Sequence, residues 1–280
     1  MMLVSVISVK GAPGVTTLAL GLAACWPNVV RRLLIEADPS GGDVATRFGL
    51  PPTGLAGLTA AARSGADPAL PWAHAWMLPR DVGVVTAPAN ADAARATLAV
   101  LPPGSIRMAA DQPGTVVVLD CGRVESDSPV MPMIGSSDAM VLITGSRGDE
   151  LAHLAPRLAA IARWSPRPLL LLAGEGYSVD EVERTLGVPP LGHIPHDEVG
   201  AALFCGRPTP RWRTRREPTR TALGRFAHNV ALVLRSALPI NPPSSGQLKL
   251  TAPVLGLPPR LISASGMRPA PAPAETGAAS

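Results

Sequence analysis

The sequence predicts an α/β fold: a mostly parallel β-sheet with helices on both faces, followed by a disordered C-terminal tail. Three observations carry this. Short apolar runs alternate with helix-forming segments over residues 1–237, the pattern of parallel strands joined by crossover helices. A glycine-containing turn, KGAPGVTT, links the first apolar run to the first helical one. Two apolar runs end in Asp38 and Asp120, and the carboxyl ends of parallel strands are where such sheets hold ligands.

Each element follows from its own residues. Val4–Val9 is an apolar strand, and Thr16–Ala24, rich in Leu and Ala, a helix. Leu33–Ala37 is a buried strand that stops at Asp38-Pro39 and a Gly-Gly turn. Leu55–Arg63 reads as a helix, Val82–Ala87 as a strand and Ala91–Val100 as a helix. Val116–Leu119 is a strand ending at Asp120, and Ala139–Thr144 another, followed by a helix over Glu150–Arg163. Leu169–Ala173 is a strand, Val179–Leu186 a helix, Leu191–Ile194 a short strand and Thr219–Leu234 a final amphipathic helix. Stretches 10–17, 36–43, 120–123, 144–148 and 195–197 therefore fall just after strands. From 238 the chain turns Pro/Ala-rich, with nine prolines from Pro239 onward. This predicts a domain over 1–237 and a disordered tail over 238–280.

Composition excludes several classes. Three widely spaced cysteines, Cys25, Cys121 and Cys205, make neither a disulfide framework nor a zinc site, and read as small buried thiols of a reducing cytoplasm. The N-terminal MMLVSVISVK has no basic region before its apolar run and reads as a strand rather than a signal peptide. No stretch of 18 or more apolar residues occurs. Two histidines, His193 and His196, flank Ile194-Pro195 without further ligands and read as a polar loop. Charge is unevenly placed: residues 1–205 carry 14 Lys/Arg against 19 Asp/Glu, whereas 206–237 carry 8 against 1. An acidic body thus precedes a short basic segment.

The glycine turn carries the chemistry. Gly11 and Gly14 bracket a loop opening a helix, whose N-terminus attracts anions. Thr16 and Thr17 sit in the first turn, where a hydroxyl can ligate magnesium. Lys10 precedes the loop and is one of only two lysines among 25 basic residues; a compact ammonium approaches a phosphate as a point charge. Asp38 and Asp120, at buried strand ends, can hold magnesium-bound waters or orient an attacking water. Turn formation and helix capping are the structural alternatives for both.

Together, KGAPGVTT, LLIEADPSGGD, VVVLDCG and LGHIPHDEVGAALFCGRP resemble the MinD/ParA family of deviant Walker A (P-loop) ATPases, with actinobacterial MinD-like and TadZ/CpaE-like proteins as the nearest branch. The resemblance covers about residues 2–236. It implies a P-loop NTPase fold, ATP and Mg as cofactors, and a nucleotide-dependent homodimer. It also implies a role in spatial positioning: chromosome partitioning, septum placement or secretion/pilus assembly. Lys10 would be the family's lysine that reaches nucleotide across the dimer, and Asp38 the carboxylate implicated in hydrolysis. Gly11, Ala12, Pro13, Gly14, Val15, Thr16 and Thr17 would form the phosphate loop, with Thr16 and Asp120 holding Mg, the latter through water. Pro195 and Asp197 would lie near the adenine. Localisation would be cytoplasmic, with recruitment to membrane or nucleoid by a partner protein.

The sequence departs from the family in four places. Val15 replaces the loop lysine, Pro13 brings no N–H to the cradle, Glu36 replaces the first Asp of D-x-D, and Ala173-Gly174 replaces an adenine-contacting Asn. Losing one hydrogen bond to a charged group removes roughly 1.5–3 kcal/mol, or about ten- to a hundredfold in affinity. Weak or absent hydrolysis is expected, since charge compensation dominates phosphoryl transfer; Arg147 is a candidate substitute cation. A ParA-type DNA-partitioning ATPase and a non-hydrolysing scaffold are the alternatives.

The basic segment GRPTPRWRTRREPTR offers Arg207, Arg211, Arg213, Arg215, Arg216 and Arg220 around Trp212. Such a cluster suits non-specific DNA, or forms a solvated loop or protein contact. In the tail, Pro253, Pro258 and Pro259 interrupt LTAPVLGLPPRLI, so no direct membrane helix is expected there.

Overall fold

The computed structural model describes residues 1–11, 14–28, 31–207 and 217–236. Ala12, Pro13, the segment 208–216 and the tail from 237 lie outside the described residues, so the expectations placed on them stop here.

The strands are β1 (Met2–Ser8), β2 (Arg31–Glu36), β3 (Trp76–Leu78), β4 (Val82–Val85), β5 (Thr115–Arg123), β6 (Ala139–Gly145), β7 (Pro168–Ala173) and β8 (Gly192–His193). The helices through residue 110 are α1 (Val15–Cys25), α2 (Val44–Phe48), α3 (Gly54–Ala62), α4 (Leu70–Ala73), α5 (Ala91–Val100) and α6 (Pro103–Ala110). Beyond them lie α7 (Met131–Gly135), α8 (Gly148–Leu154), α9 (Leu158–Ile161), α10 (Val179–Leu186), α11 (Glu198–Phe204) and α12 (Ala222–Ser236). The strands form one eight-stranded sheet in the order β3-β4-β2-β5-β1-β6-β7-β8. All pairs are parallel except β3 with β4. The expected α/β architecture is therefore present.

Helices cover both faces, which is why β1 is buried at all seven residues and lacks polar alternation. On one face Val4, Val6, Leu34, Val118 and Val141 pack under α1, α11 and α12. On the other, Leu3, Ile7, Leu33, Leu119 and Leu142 pack against residues of α3, α5, α6 and α8. Helix α1 lies between the sheet and α12, so its buried residues surround its axis instead of forming a stripe. It also meets Phe204 of α11, whose ring, with Ala227, would crowd a side chain at Gly21. Helix α12 keeps the expected amphipathic character, turning Leu223, Ala227, Val230, Ala231 and Leu234 inward.

Some boundaries differ from the sequence expectation. The single helix over 150–163 is instead α8, a 3-10 turn over Ala155–Arg157, and α9; Pro156 lacks the N–H that a continuous helix needs. The strand expected over 191–194 contracts to two residues. A 3-10 turn, Pro218–Arg220, precedes α12. The antiparallel edge strand β3 and the short helix α11 are additional elements; β3 carries exposed Trp76 and Met77, a composition without a strand's usual two-residue alternation. Among the described residues no helix is long and apolar enough to cross a membrane.

Candidate functional site at the carboxyl ends of the central strands

Three neighbouring exits, those of β1, β2 and β5, define the site. Strand β1 leads into Lys10 and Gly11, and Gly14 starts α1 in the left-handed conformation (φ 98°, ψ 10°), which a glycine adopts without strain. Gly11 also has positive φ (79°), and a methyl group at either glycine would meet nothing within 4 Å. Neither glycine is therefore crowded by the rest of the chain. No side chain caps α1, which leaves orphan amides at a helix end already favourable to anions.

Beside this loop lie three carboxyl groups. Glu36 and Asp120 are directly paired in the β2–β5 register, and Asp38 follows two residues after Glu36. Asp120 is fully buried. Burial pushes its pKa up to about 7; the charges of Glu36 and Asp38 add to the rise, while the Thr16 hydroxyl and the Gly122 amide oppose it. Its Oδ1 receives only a long hydrogen bond from Gly122 N, at 3.4 Å. Its Oδ2 is buried with no hydrogen-bond partner. A buried carboxylate oxygen left unpaired is costly, and the carboxyl group that carries it interacts with the first-turn hydroxyl of Thr16.

Asp38 is half-buried. Burial raises its pKa, and the Ser40 amide, 2.7 Å from Oδ1, holds it down. Its other oxygen lies over the α-carbon of Gly122, where any added methyl group would collide with it. Gly122 has φ 56°, so both the backbone conformation and the close approach require glycine. Its signal in the sequence was its place two residues after Asp120, in VVVLDCG.

Glu36 behaves differently. Its Oε1 accepts from Asp43 N at 2.5 Å and Val44 N at 2.8 Å, and its Oε2 from Ala87 N at 2.9 Å. Burial raises its pKa and these three amides oppose the rise. The side chain closes the 42–44 loop onto the end of β4, so Glu36 is a structural brace under Asp38.

Val15, at the position of the expected lysine, is 6% exposed and packs into the apolar cluster around α1. The substitution thus exchanges a loop cation for core packing. Thr17, unlike Thr16, turns toward α11: its Oγ1 is 3.2 Å from Cys205 Sγ, which Arg47 Nη1 also approaches at 3.4 Å. Lys10 Nζ binds Asp149 Oδ2 at 2.8 Å, in the first turn of α8. That hydrogen bond holds Asp149 below its ordinary pKa. Arg147, at the start of α8, is exposed, and its amide donates to Glu150.

Pro195 is half-buried in the loop after β8. Asp197 caps α11 by accepting from Gly200 N at 2.9 Å, and ties in α12 by accepting from Leu223 N at 2.9 Å. Burial pushes its pKa up, but these amides prevail and hold it below the ordinary value. Both oxygens being engaged, Asp197 acts first as a clamp between the two helices. His193 Nε2 lies 3.1 Å from Tyr177 O, and His196 is exposed beside Glu198. The three cysteines are free and buried, as expected. No group of three metal-ligating side chains occurs among the described residues, so a cation at Asp120 would rely on a hydroxyl and waters.

No protein-family model matches the sequence, and no curated protein matches it. Solved structures do. A ParA family ATPase from Chlorobium tepidum superposes with a TM-score of 0.63 at 17% identity, over 82% of this chain and 98% of that one. The chain has the MinD/ParA fold. The septum site-determining protein MinD from Pyrococcus horikoshii, complexed with Mg-ADP, shares this fold with a TM-score of 0.60 at 15% identity, over 84% and 99% of the two chains. So does cobyrinic acid a,c-diamide synthase from Mycobacterium smegmatis with ADP and magnesium, with 0.54 at 16%, over 85% and 97%. In the MinD/ParA fold of this chain, Gly11, Gly14, Asp38 and Asp120 follow the carboxyl ends of the central strands β1, β2 and β5, while Pro195 and Asp197 follow the edge strand β8.

Proposed function

We propose that the chain is an ATP- and Mg-binding switch of MinD/ParA type that acts in spatial positioning, with weak or absent hydrolysis. The observation that carries this reading is the buried, unpartnered Oδ2 of Asp120, a carboxyl group that interacts with Thr16 at the start of α1, where Gly11 and Gly14 are uncrowded. A hydrated divalent cation supplies the positive charge that such an oxygen lacks, and the uncapped start of α1 supplies amides for a phosphate chain. Two solved neighbours with Mg and a nucleotide in the same fold support the choice of ligand.

Residue roles follow. Gly11, Gly14 and the first-turn amides of Val15, Thr16 and Thr17 cradle phosphate, with Ala12 and Pro13 completing the loop. The Thr16 hydroxyl and, through water, Asp120 hold Mg. The bound cation contributes charge neutralisation of the phosphates. Asp38, poised over Gly122, orients water. Lys10 is engaged by Asp149 in the isolated chain and becomes available to nucleotide when two chains associate. Pro195 and Asp197 border the base, Asp197 through the backbone it fixes. Val15 leaves the phosphates without a loop cation, and this is the reason to expect slow turnover. The partner in a positioning or secretion system reads the nucleotide state, as a ligand-biased conformational equilibrium requires.

Isothermal titration with Mg-ATP tests the reading. We expect saturable 1:1 binding to the full chain and a loss of at least tenfold in affinity for Asp120→Ala, with phosphate release near background. Equal affinity of the two proteins, or turnover as rapid as in hydrolysing relatives assayed beside them, would overturn it.

A further inference from the structure

A second site lies at the opposite end of α1. There a cleft of about 980 Å³ opens between the end of α1, the start of β2, the β3–β4 turn and α11. Among the described residues its lining includes the basic Arg32, Arg80, Arg207 and His228 and the acidic Glu217. Helix α1 has 11 residues, so about 16 Å separates this cleft from the glycine loop along the helix axis.

One observation distinguishes it from an ordinary groove. Arg32 Nε is buried and has no hydrogen-bond partner, although the guanidinium borders an open cleft. Buried donors are satisfied in native proteins, by an ion or water if not by protein. Arg32 and Arg80 both act on the nearby Cys25 thiol. Burial raises that thiol to about 11, and the two guanidiniums oppose the rise. Phe48 and Leu203 supply apolar walls, so the cleft offers charge at one part and hydrocarbon at another.

We infer that this cleft binds the phosphate of a small organic phosphate, with Arg32 and Arg207 as its principal ligands and Phe48 against its organic body. Guanidinium forks match phosphate geometry in two-bond contacts, and a mixed apolar and cationic lining is typical of small-molecule sites. The site is separate from the glycine loop and does not depend on the reading given above for that loop.

Calorimetric titration of the full-length chain with pyrophosphate, without magnesium, tests it. The background is Gly14→Asp, which places a negative charge at the start of α1 and blocks binding there. In that background we expect one pyrophosphate to bind, and each of Arg32→Met and Arg207→Ala to weaken it roughly tenfold or more. Arg207 is exposed, so its substitution reports on binding without disturbing the core, and thermal midpoints check the Arg32 variant. Phenyl phosphate should bind more tightly than inorganic phosphate, and Phe48→Ala should abolish that preference. No heat in the blocked chain, or heat indifferent to both arginines, overturns the site. Binding of a duplex oligonucleotide that needs both arginines while pyrophosphate gives none would overturn the small-molecule assignment.

Discussion

Glu36 and Asp120 face each other across adjacent strands, at equivalent ends, and are both buried. Yet one is closed and the other open. Glu36 receives three backbone amides that arrive from two different segments. Asp120 receives one long amide contact and the influence of the Thr16 hydroxyl, and keeps an oxygen without a partner. Burial alone therefore does not mark a functional carboxylate. Where hydrogen-bonding capacity is used up by the chain itself, the group holds the fold; where it is left over, the group awaits something the chain does not contain.

The contrast breaks most clearly under substitution. Glu36→Ala should cost roughly 3 kcal/mol or more, because it orphans three buried amides at once; a urea midpoint unchanged from wild type would refute the brace. Asp120→Asn should do the reverse, raising the stability of the ligand-free chain at pH 8. The sign follows from linkage. A carboxyl whose folded pKa lies above its unfolded value takes up protons on folding, so stability falls as pH rises between the two values and levels off above the folded one. For Asp120 that window runs from the ordinary 3.8 to about 7, with an effect on the order of a few kcal/mol. Thermal midpoints from pH 4 to 8 should decline in the wild type and decline less in Asp120→Asn, where Glu36 and Asp38 still titrate. Equal slopes would place the titrating group elsewhere.

A middle-sized effect is expected at Val15. Its side chain belongs to the core, so Val15→Lys should lower stability by about 1–3 kcal/mol unless the lysine escapes along the loop. A neutral result would mean that position 15 can turn outward, and that the missing cation is readily restored. The smallest effect concerns Asp149. Its pair with Lys10 is exposed on both sides, and such pairs contribute little. Asp149→Ala should leave the melting midpoint unchanged while easing the approach of Lys10 to a second chain, readable as an altered dimer fraction by analytical ultracentrifugation with Mg-ATP.

The sequence made the architecture legible because both faces of the sheet are covered. Strands such as MLVSVIS and TVVVLDCGR read as unbroken apolar runs, and the glycine loop follows the first of them. It also pointed to Asp38 and Asp120 through their place at strand ends. It marked Glu36 only as a departure from D-x-D and was silent on its bracing role, because three amides from residues 43, 44 and 87 are brought together only by the β2–β4 pairing. The engagement of Asp197 by α12 and the separate fates of Thr16 and Thr17 likewise depend on how helices pack over the sheet. Lys10 stood out by its rarity, but its partner Asp149 is a contact across 139 positions of sequence that no local pattern announces.

The open carboxyl is measured most directly by carbon-13 NMR titration of Asp120, assigned by comparison with Asp120→Asn. The account predicts a carboxyl that titrates near pH 7 in the ligand-free chain. With Mg-ATP it should remain ionised down to a pH well below that, because a hydrated cation then opposes its charge. An Asp120 that titrates near 4 without ligand, or whose titration Mg-ATP leaves untouched, would contradict it.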